Sequence, residues 1–144
     1  MTITPLRRAN CLLNNALVLI AEDEPFIALD LALAIEDVGG RVVGPAATVE
    51  EALALIEVRT VAAAILDVNL GAHDISPVAE ILLNLNIPVI LQTGVKVPPD
   101  LAARFPDLFV HIKPCVAAQL VAQLVTLIAS GPDAAPPDAG RTAS

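Results

Sequence analysis

Polar side chains of three kinds stand at the ends of four largely apolar runs of strand length. They are a carboxylate pair at Glu22 and Asp23, a single carboxylate at Asp67, a hydroxyl at Thr93 and an ammonium at Lys113. A carboxylate is able to attack a phosphoryl group and carry it as an acyl phosphate, one of the forms of covalent catalysis. Three clustered carboxylates repel one another, so at least one pKa should rise unless positive charge joins them. A hard divalent cation with oxygen ligands is the natural remedy, and magnesium commonly takes one or two carboxylates together with phosphate oxygens and water. Glu22, Asp23 and Asp67 are therefore the expected magnesium ligands, with the backbone carbonyl of Asn69, just past the strand, as a further one. The transition state of phosphoryl transfer spreads charge over three equatorial oxygens, and the metal, Lys113 and the Thr93 hydroxyl would take one each. Asp67 is the expected phosphoryl acceptor.

That chemistry requires distant parts of the chain to meet along one rim. Ala63-Ala64-Ile65-Leu66 carries no polar side chain before Asp67, the mark of a strand buried on both faces in a parallel sheet. In open sheets of that kind ligands bind at the carboxyl ends of the strands, where strand order reverses. Four more runs read as strands: Ala16 to Ala21, Arg41 to Ala46, Pro88 to Gln92 and Leu108 to Ile112. Helical patterns separate them. Pro25 suits a first helical position, Ile27, Leu31, Ile35 and Val38 form a core stripe, and Gly39-Gly40 ends it. Thr48-Val49-Glu50-Glu51 matches a capping box and opens a helix to about Val58. Ser76-Pro77 supplies an N-cap and a first-position proline for a helix to about Leu85. Pro98, Pro99 and Pro106 leave only residues 100–105 for a fourth helix, which is expected to be short or disordered. Val116, Leu120, Leu124 and Leu127 oppose Gln119, Gln123, Thr126 and Ser130 in a last amphipathic helix. Alternating strands and helices predict an α/β, doubly wound, five-stranded parallel sheet with helices on both faces.

With 144 residues, 56% of them hydrophobic, the chain has material for one well-filled domain. Residues 1–14 read as a flexible leader, 15–130 as the domain and 131–144, rich in Gly, Pro, Ala and Asp, as a disordered tail. A net charge of -8 argues against nucleic acid and anionic lipid as partners and favours a protein or a cationic ligand. Cys11 and Cys115 lack metal-ligand spacing and suit a reducing cytosol. Asn14 and Asn15 interrupt the only run that follows Arg7 and Arg8, so no signal-peptide core forms. The charge-free stretch from Pro114 to Pro132 is long enough to raise the question of spanning, but its polar stripe marks a helix packed on a core. A cytoplasmic protein without a membrane anchor is expected.

The five polar positions, in this order and each on its own element, resemble the receiver domain of bacterial two-component response regulators over roughly residues 17–128. The resemblance implies a flavodoxin-like fold. It also implies that Asp67 takes a phosphoryl group from a phosphohistidine on a histidine kinase or phosphotransfer protein. Asp23 and Glu22 would hold magnesium, Thr93 and Lys113 would grip the phosphoryl oxygens, and Lys113-Pro114 would be joined by a cis bond. The output would be a contact with a downstream protein, since the stretch after Ser130 is too short and too polar to fold as an effector. Such a chain catalyses only its own phosphorylation and dephosphorylation and is not ordinarily classed as an enzyme.

The pattern is not followed everywhere. Many family members carry Tyr or Phe three residues before the lysine; here that position is Val110, with Phe109 one residue earlier on the opposite face. His111 on the same strand reads as a surface residue. Leu91-Gln92-Thr93-Gly94-Val95-Lys96 partly resembles the Phe-Ala-Thr-Gly-hydrophobic-Tyr signature of a receiver subgroup with a weak fourth helix, so phosphorylation is expected to reorganise residues 94–107 rather than flip one ring. Phe26, Leu29 and Leu33 form a second stripe on the first helix, read as the broad apolar face of a well-buried helix, with a kinase-docking surface as the alternative. The charge-free last helix raises homodimerisation. Two other functions compete. An aspartate-nucleophile phosphohydrolase similar to the haloacid dehalogenase superfamily would need a general acid where Asn69 stands. A receiver-like docking module that is never phosphorylated would have no need of all five positions.

Overall fold

The computed structural model describes residues 12–71, 73–94 and 96–130. Five strands, β1 (Leu17–Ala21), β2 (Arg41–Ala46), β3 (Ala63–Asp67), β4 (Val89–Thr93) and β5 (Phe109–Ile112), form one sheet in the order β2-β1-β3-β4-β5. Every pairing in it is parallel. The helices are α1 (Pro25–Asp37), α2 (Val49–Val58), α3 (Ser76–Asn84), α4 (Pro99–Arg104) and α5 (Ala117–Ser130). Chain order leaves β1 first toward β2 and then, on the other side, toward β3, so the reversal falls between the carboxyl ends of β1 and β3. That is the crevice where doubly wound sheets bind ligands.

Register decides what reaches the crevice. Ile20, Ile65, Ile90 and Phe109 are cross-strand neighbours. With Leu31 and Ile35 of α1 and Leu120 and Leu124 of α5 they build one apolar layer. Leu19, Leu66 and Leu91 face the other way, into a layer with Ala52 of α2, Val78 and Leu82 of α3 and Leu101 of α4. Side chains alternate along a strand, so two residues beyond the isoleucine row the first face is reached again. There the row reads Asp67, Gln92 and His111, with Glu22 one position beyond the Ala21–Leu66 pair. A polar row thus continues an apolar one on the same face.

Glu24 caps α1 by accepting from the Phe26 amide at 3.2 Å. Thr48 Oγ1 accepts from the Glu51 amide at 3.0 Å, while Glu51 reaches back to the Ala47 amide at 2.7 Å. Such a cap contributes about 1 kcal/mol. Ser76 is not the cap expected of it: Ile75 occupies that position without a side-chain bond, fully buried, and the Asp74 carboxylate accepts from the Ser76 amide at 2.8 Å. Core filling by Ile75 displaces the cap to the preceding turn. After β3 the chain forms a two-residue antiparallel ladder, Asn69–Leu70 against His73–Asp74, where only a turn was expected.

The expected leader also loses its end to the core. Leu13 is buried, its amide bonded to the Val38 carbonyl at 2.8 Å, and Asn15 bonds Gly39 likewise. Residues 1–11, including Cys11, and the expected tail, 131–144, lie outside the described residues. α4 is six residues long, as the prolines require. The stripe on α1 is corrected: Phe26 is 78% exposed and Leu29 and Leu33 about half exposed. The helix buries only the face carrying Ala28, Leu31 and Ile35, so the second stripe is solvent-facing. Among the described residues no helix is long and apolar enough to cross a membrane.

Candidate functional site

Three strands deliver the centre of the site. Asp67 ends β3 and is buried; its Oδ2 accepts from Lys113 Nζ at 2.9 Å and its Oδ1 from the Asn69 amide at 3.2 Å. Lys113 follows β5 and reaches back across β4, where its ammonium also lies 3.1 Å from Glu22 Oε1. Glu22, just past β1, has a fully buried carboxylate with Oε2 accepting from the Glu24 amide at 3.0 Å. Its longer arm is folded inward rather than into solvent. Burial pushes the Glu22 carboxyl above its ordinary value; bonds from the Glu24 amide and Lys113 pull it back, and the Asp67 charge adds to the rise. Repulsion among carboxylates was the expected cause of such a shift, but desolvation is the larger one. Burial by itself pulls Lys113 down, yet hydrogen bonds to Asp67 and Glu22, with their charges, outweigh it and leave the ammonium more tightly protonated than usual.

Asp23 lies at the exposed side of the cluster, where its Oδ2 accepts from the Gly71 amide at 3.0 Å. Gly71 has φ +61°, a left-handed conformation that turns its amide toward Asp23 and that glycine adopts without strain. The carboxylates of Glu22, Asp23 and Asp67 each offer an oxygen within 4.8 Å of the others. An all-oxygen set of this size, acidic and half open to solvent, fits magnesium rather than a metal that favours nitrogen or sulfur. The contact that Asn69 makes here is through its amide, on Asp67. Thr93 is buried at the end of β4, and its carbonyl accepts from the Lys113 amide at 2.8 Å. The Lys113–Pro114 bond is cis, as the resemblance implied, and so is Gly44–Pro45, which nothing in the sequence announced.

Gln92 was missed. It is buried beside Asp67 in the sheet register, and its Nε2 donates to Glu22 Oε1 at 2.8 Å. The signal was present in the sequence: a carboxamide inside an otherwise apolar strand, one residue before Thr93. His111, expected at the surface, is half-buried and hydrogen-bonds Gln123 of α5. Val110 lies on the opposite face of β5 and is 38% exposed, while Phe109 packs into the α1–α5 layer.

No family model and no curated protein matches the chain. Solved structures do. SdrG from Sphingomonas melonis Fr1 is 37% identical, with 78% of this chain and 96% of that one covered at a TM-score of 0.64. The response regulator PhyR from Brucella abortus is 34% identical over 78% of this chain, with a TM-score of 0.65. The anti-anti-sigma factor PhyR from Bartonella quintana is 29% identical over 83%, also with a TM-score of 0.65. The chain spans about half the length of the two PhyR proteins, 47% and 50%.

Proposed function

From the premise that this chain belongs to the receiver-domain family of response regulators, we propose that Asp67 accepts a phosphoryl group from a phosphohistidine and that the charge it carries switches a contact with another protein. The donor is a histidine kinase or phosphotransfer protein in the cytosol. An Asp67 oxygen attacks phosphorus; the new P–O bond replaces the P–N bond, whose electron pair leaves with the imidazole nitrogen as that nitrogen takes up a proton. Glu22, Asp23 and Asp67 would hold magnesium, with the Asn69 carbonyl as a further ligand, and the ion would neutralise phosphoryl oxygens as charge moves onto them.

The rest is done by the chain itself. Lys113, already on Asp67 Oδ2, follows the charge onto the phosphoryl oxygens, and the Thr93 hydroxyl takes another of them. The Asn69 amide on Oδ1 fixes the plane of the acceptor carboxylate before attack. Burial of Asp67 and Glu22 keeps these interactions in a medium where they are stronger than in water. Water attacking the acyl phosphate releases inorganic phosphate and restores the Asp67 carboxylate, which makes the phosphorylated state self-limiting.

The observation that carries this reading is the single ammonium of Lys113 held between Asp67 and Glu22, with the Asp23 carboxylate alongside. The test is incubation with a small acyl-phosphate donor and magnesium, followed by intact mass. The native protein is expected to gain one phosphoryl group and Asp67→Asn none; no adduct on the native protein, or an equal adduct on the variant, overturns the reading.

A further inference from the structure

We infer that Gln92 is a positioning residue for the metal site, acting through Glu22. The inference rests on the proposed magnesium role of the acidic cluster and adds to it a residue outside the ligand set.

A glutamate at this place has one more rotatable bond than an aspartate, and its carboxylate is fully buried. An unanchored buried carboxylate would sample several rotamers and meet unpaired surroundings, both unfavourable. The structure anchors it at three points: the Glu24 amide on Oε2, and Gln92 Nε2 and Lys113 Nζ on Oε1. Lys113 is shared with Asp67 and in the proposed reaction is drawn to phosphoryl oxygens. Glu24 contributes only a backbone amide from the same turn. Gln92 is the anchor that comes from another strand and has no other task in the proposed chemistry.

Gln92 is itself held firmly. Its backbone pairs with Asp67 in register, its carbonyl accepts from the Val68 amide at 3.0 Å, and its side chain is 1% exposed. A neutral amide donor is the group that can bond Glu22 without competing for the role of cation. Lysine or arginine here would neutralise the cluster and repel a metal, and an apolar residue would leave Oε1 to Lys113 alone. Partners that orient metal ligands in this way typically change affinity by about 10–100-fold when removed.

The experiment is magnesium titration by calorimetry on the unphosphorylated protein. Gln92→Met, close in volume and without a donor, is expected to bind magnesium about ten-fold more weakly while keeping a native circular dichroism spectrum. In a Glu22→Gln background the same substitution is expected to change affinity no further, because the residue through which Gln92 acts has lost its charge. If Gln92→Met does not fold, Gln92→Asn, one methylene too short to reach Oε1, carries the same pair of measurements. Native affinity in the folded variant, or an undiminished loss in the Glu22→Gln background, overturns the inference and leaves the proposed metal site standing. Absence of magnesium binding by the native protein overturns both.

Discussion

Two regions of the molecule invert the usual partition of polar and apolar groups. At the carboxyl rim of the sheet, Glu22, Asp67, Gln92 and Thr93 are buried. On the flanks, Phe26, Leu29 and Leu33 of α1 and Val110, Ile112 and Val116 around β5 are exposed hydrocarbon. The first inversion is satisfied from within, since each buried carboxylate has hydrogen-bonded partners. The second is not answered by anything among the described residues. Buried polar groups that are fully paired give a rigid and specific arrangement, whereas contiguous exposed apolar surface marks a place where another molecule binds. The rim is built to do something to one group, and the flanks to be met by something else. One covalent link joins them: Lys113, whose ammonium serves the rim, directly follows Ile112, whose side chain is 67% exposed.

The largest effect is expected from breaking the rim. Lys113→Ala removes the cation that pairs Asp67 and Glu22, and phosphoryl uptake from a small donor should slow on the order of 100-fold, the cost of losing one charge-stabilising donor in a desolvated site. Magnesium affinity should move the opposite way, tightening because an ammonium no longer competes for the same carboxylates. If both fall together, the lysine organises the pocket and does not merely compensate charge in it.

Breaking a flank should separate binding from chemistry. Leu33→Glu places a charge in the α1 patch, where the native side chain is half exposed, so stability should change by no more than about 0.5 kcal/mol. Transfer from a protein phosphodonor should slow about ten-fold, the equivalent of roughly 1.4 kcal/mol of docking energy, with uptake from a small donor unchanged. Equal slowing with both donors would show that the patch serves the rim and is not a separate docking surface.

The rim also sets the pH response. Lys113 is more tightly protonated in the folded chain than its ordinary 10.5, so the stability it contributes is fully present below that pH and is lost as pH rises through the higher folded value. Glu22 works the other way. Its carboxyl is raised from 4.5, so the protonated form favours the folded state and stability from this group declines as pH rises above that value. Thermal melting across pH, in Lys113→Met and Glu22→Gln, should lose the alkaline and the acid component respectively. Retention of the alkaline component in Lys113→Met would assign it to another group.

How far the sequence disclosed this arrangement depended on whether the signal was local. The strands other than β2 were legible because each is a largely apolar run closed by a polar residue, and Thr48 and Pro25 marked helix starts because capping is decided within four residues. Glu22, Asp23, Asp67 and Lys113 were legible as a set for the same reason: each marks its own strand end. Gln92 stood out as a carboxamide in an apolar strand, but its role did not, since that comes from Glu22, a partner 70 residues away. Ser76 misled because its local fitness as a cap was overridden by the burial of Ile75. The α1 stripe misled because hydrophobicity alone does not say which of two adjacent stripes meets the sheet.

Amide exchange sharpens the contrast further. α4 is six residues long, flanked and opened by Pro98 and Pro99, and is held by Leu101 in the core and by the Arg104–Glu80 ion pair at 2.8 Å between partly exposed side chains. A surface pair of that kind contributes at most about 1 kcal/mol. Amides of residues 100–108 should therefore exchange far faster than those of β4, and a phosphoryl mimic should change exchange in that segment more than anywhere else outside the rim. Unchanged exchange there would mean that the charge on Asp67 is not felt through Thr93 and Lys113.

The smallest effect is the most discriminating about the open face of β5. Ile112 projects from the edge strand on the face opposite Phe109 and His111, and its exposure leaves little to lose on removal. Ile112→Ser should shift stability by no more than about 0.5 kcal/mol, because the hydrocarbon it deletes is already in water. Phosphoryl uptake should be unaffected, since the side chain points away from Asp67. A loss of about 2 kcal/mol, the range for deleting a buried aliphatic group, would mean that in solution the chain covers this face itself. In that case the output surface would be masked until phosphorylation, and the contrast between a satisfied rim and an unanswered flank would hold only for the phosphorylated state.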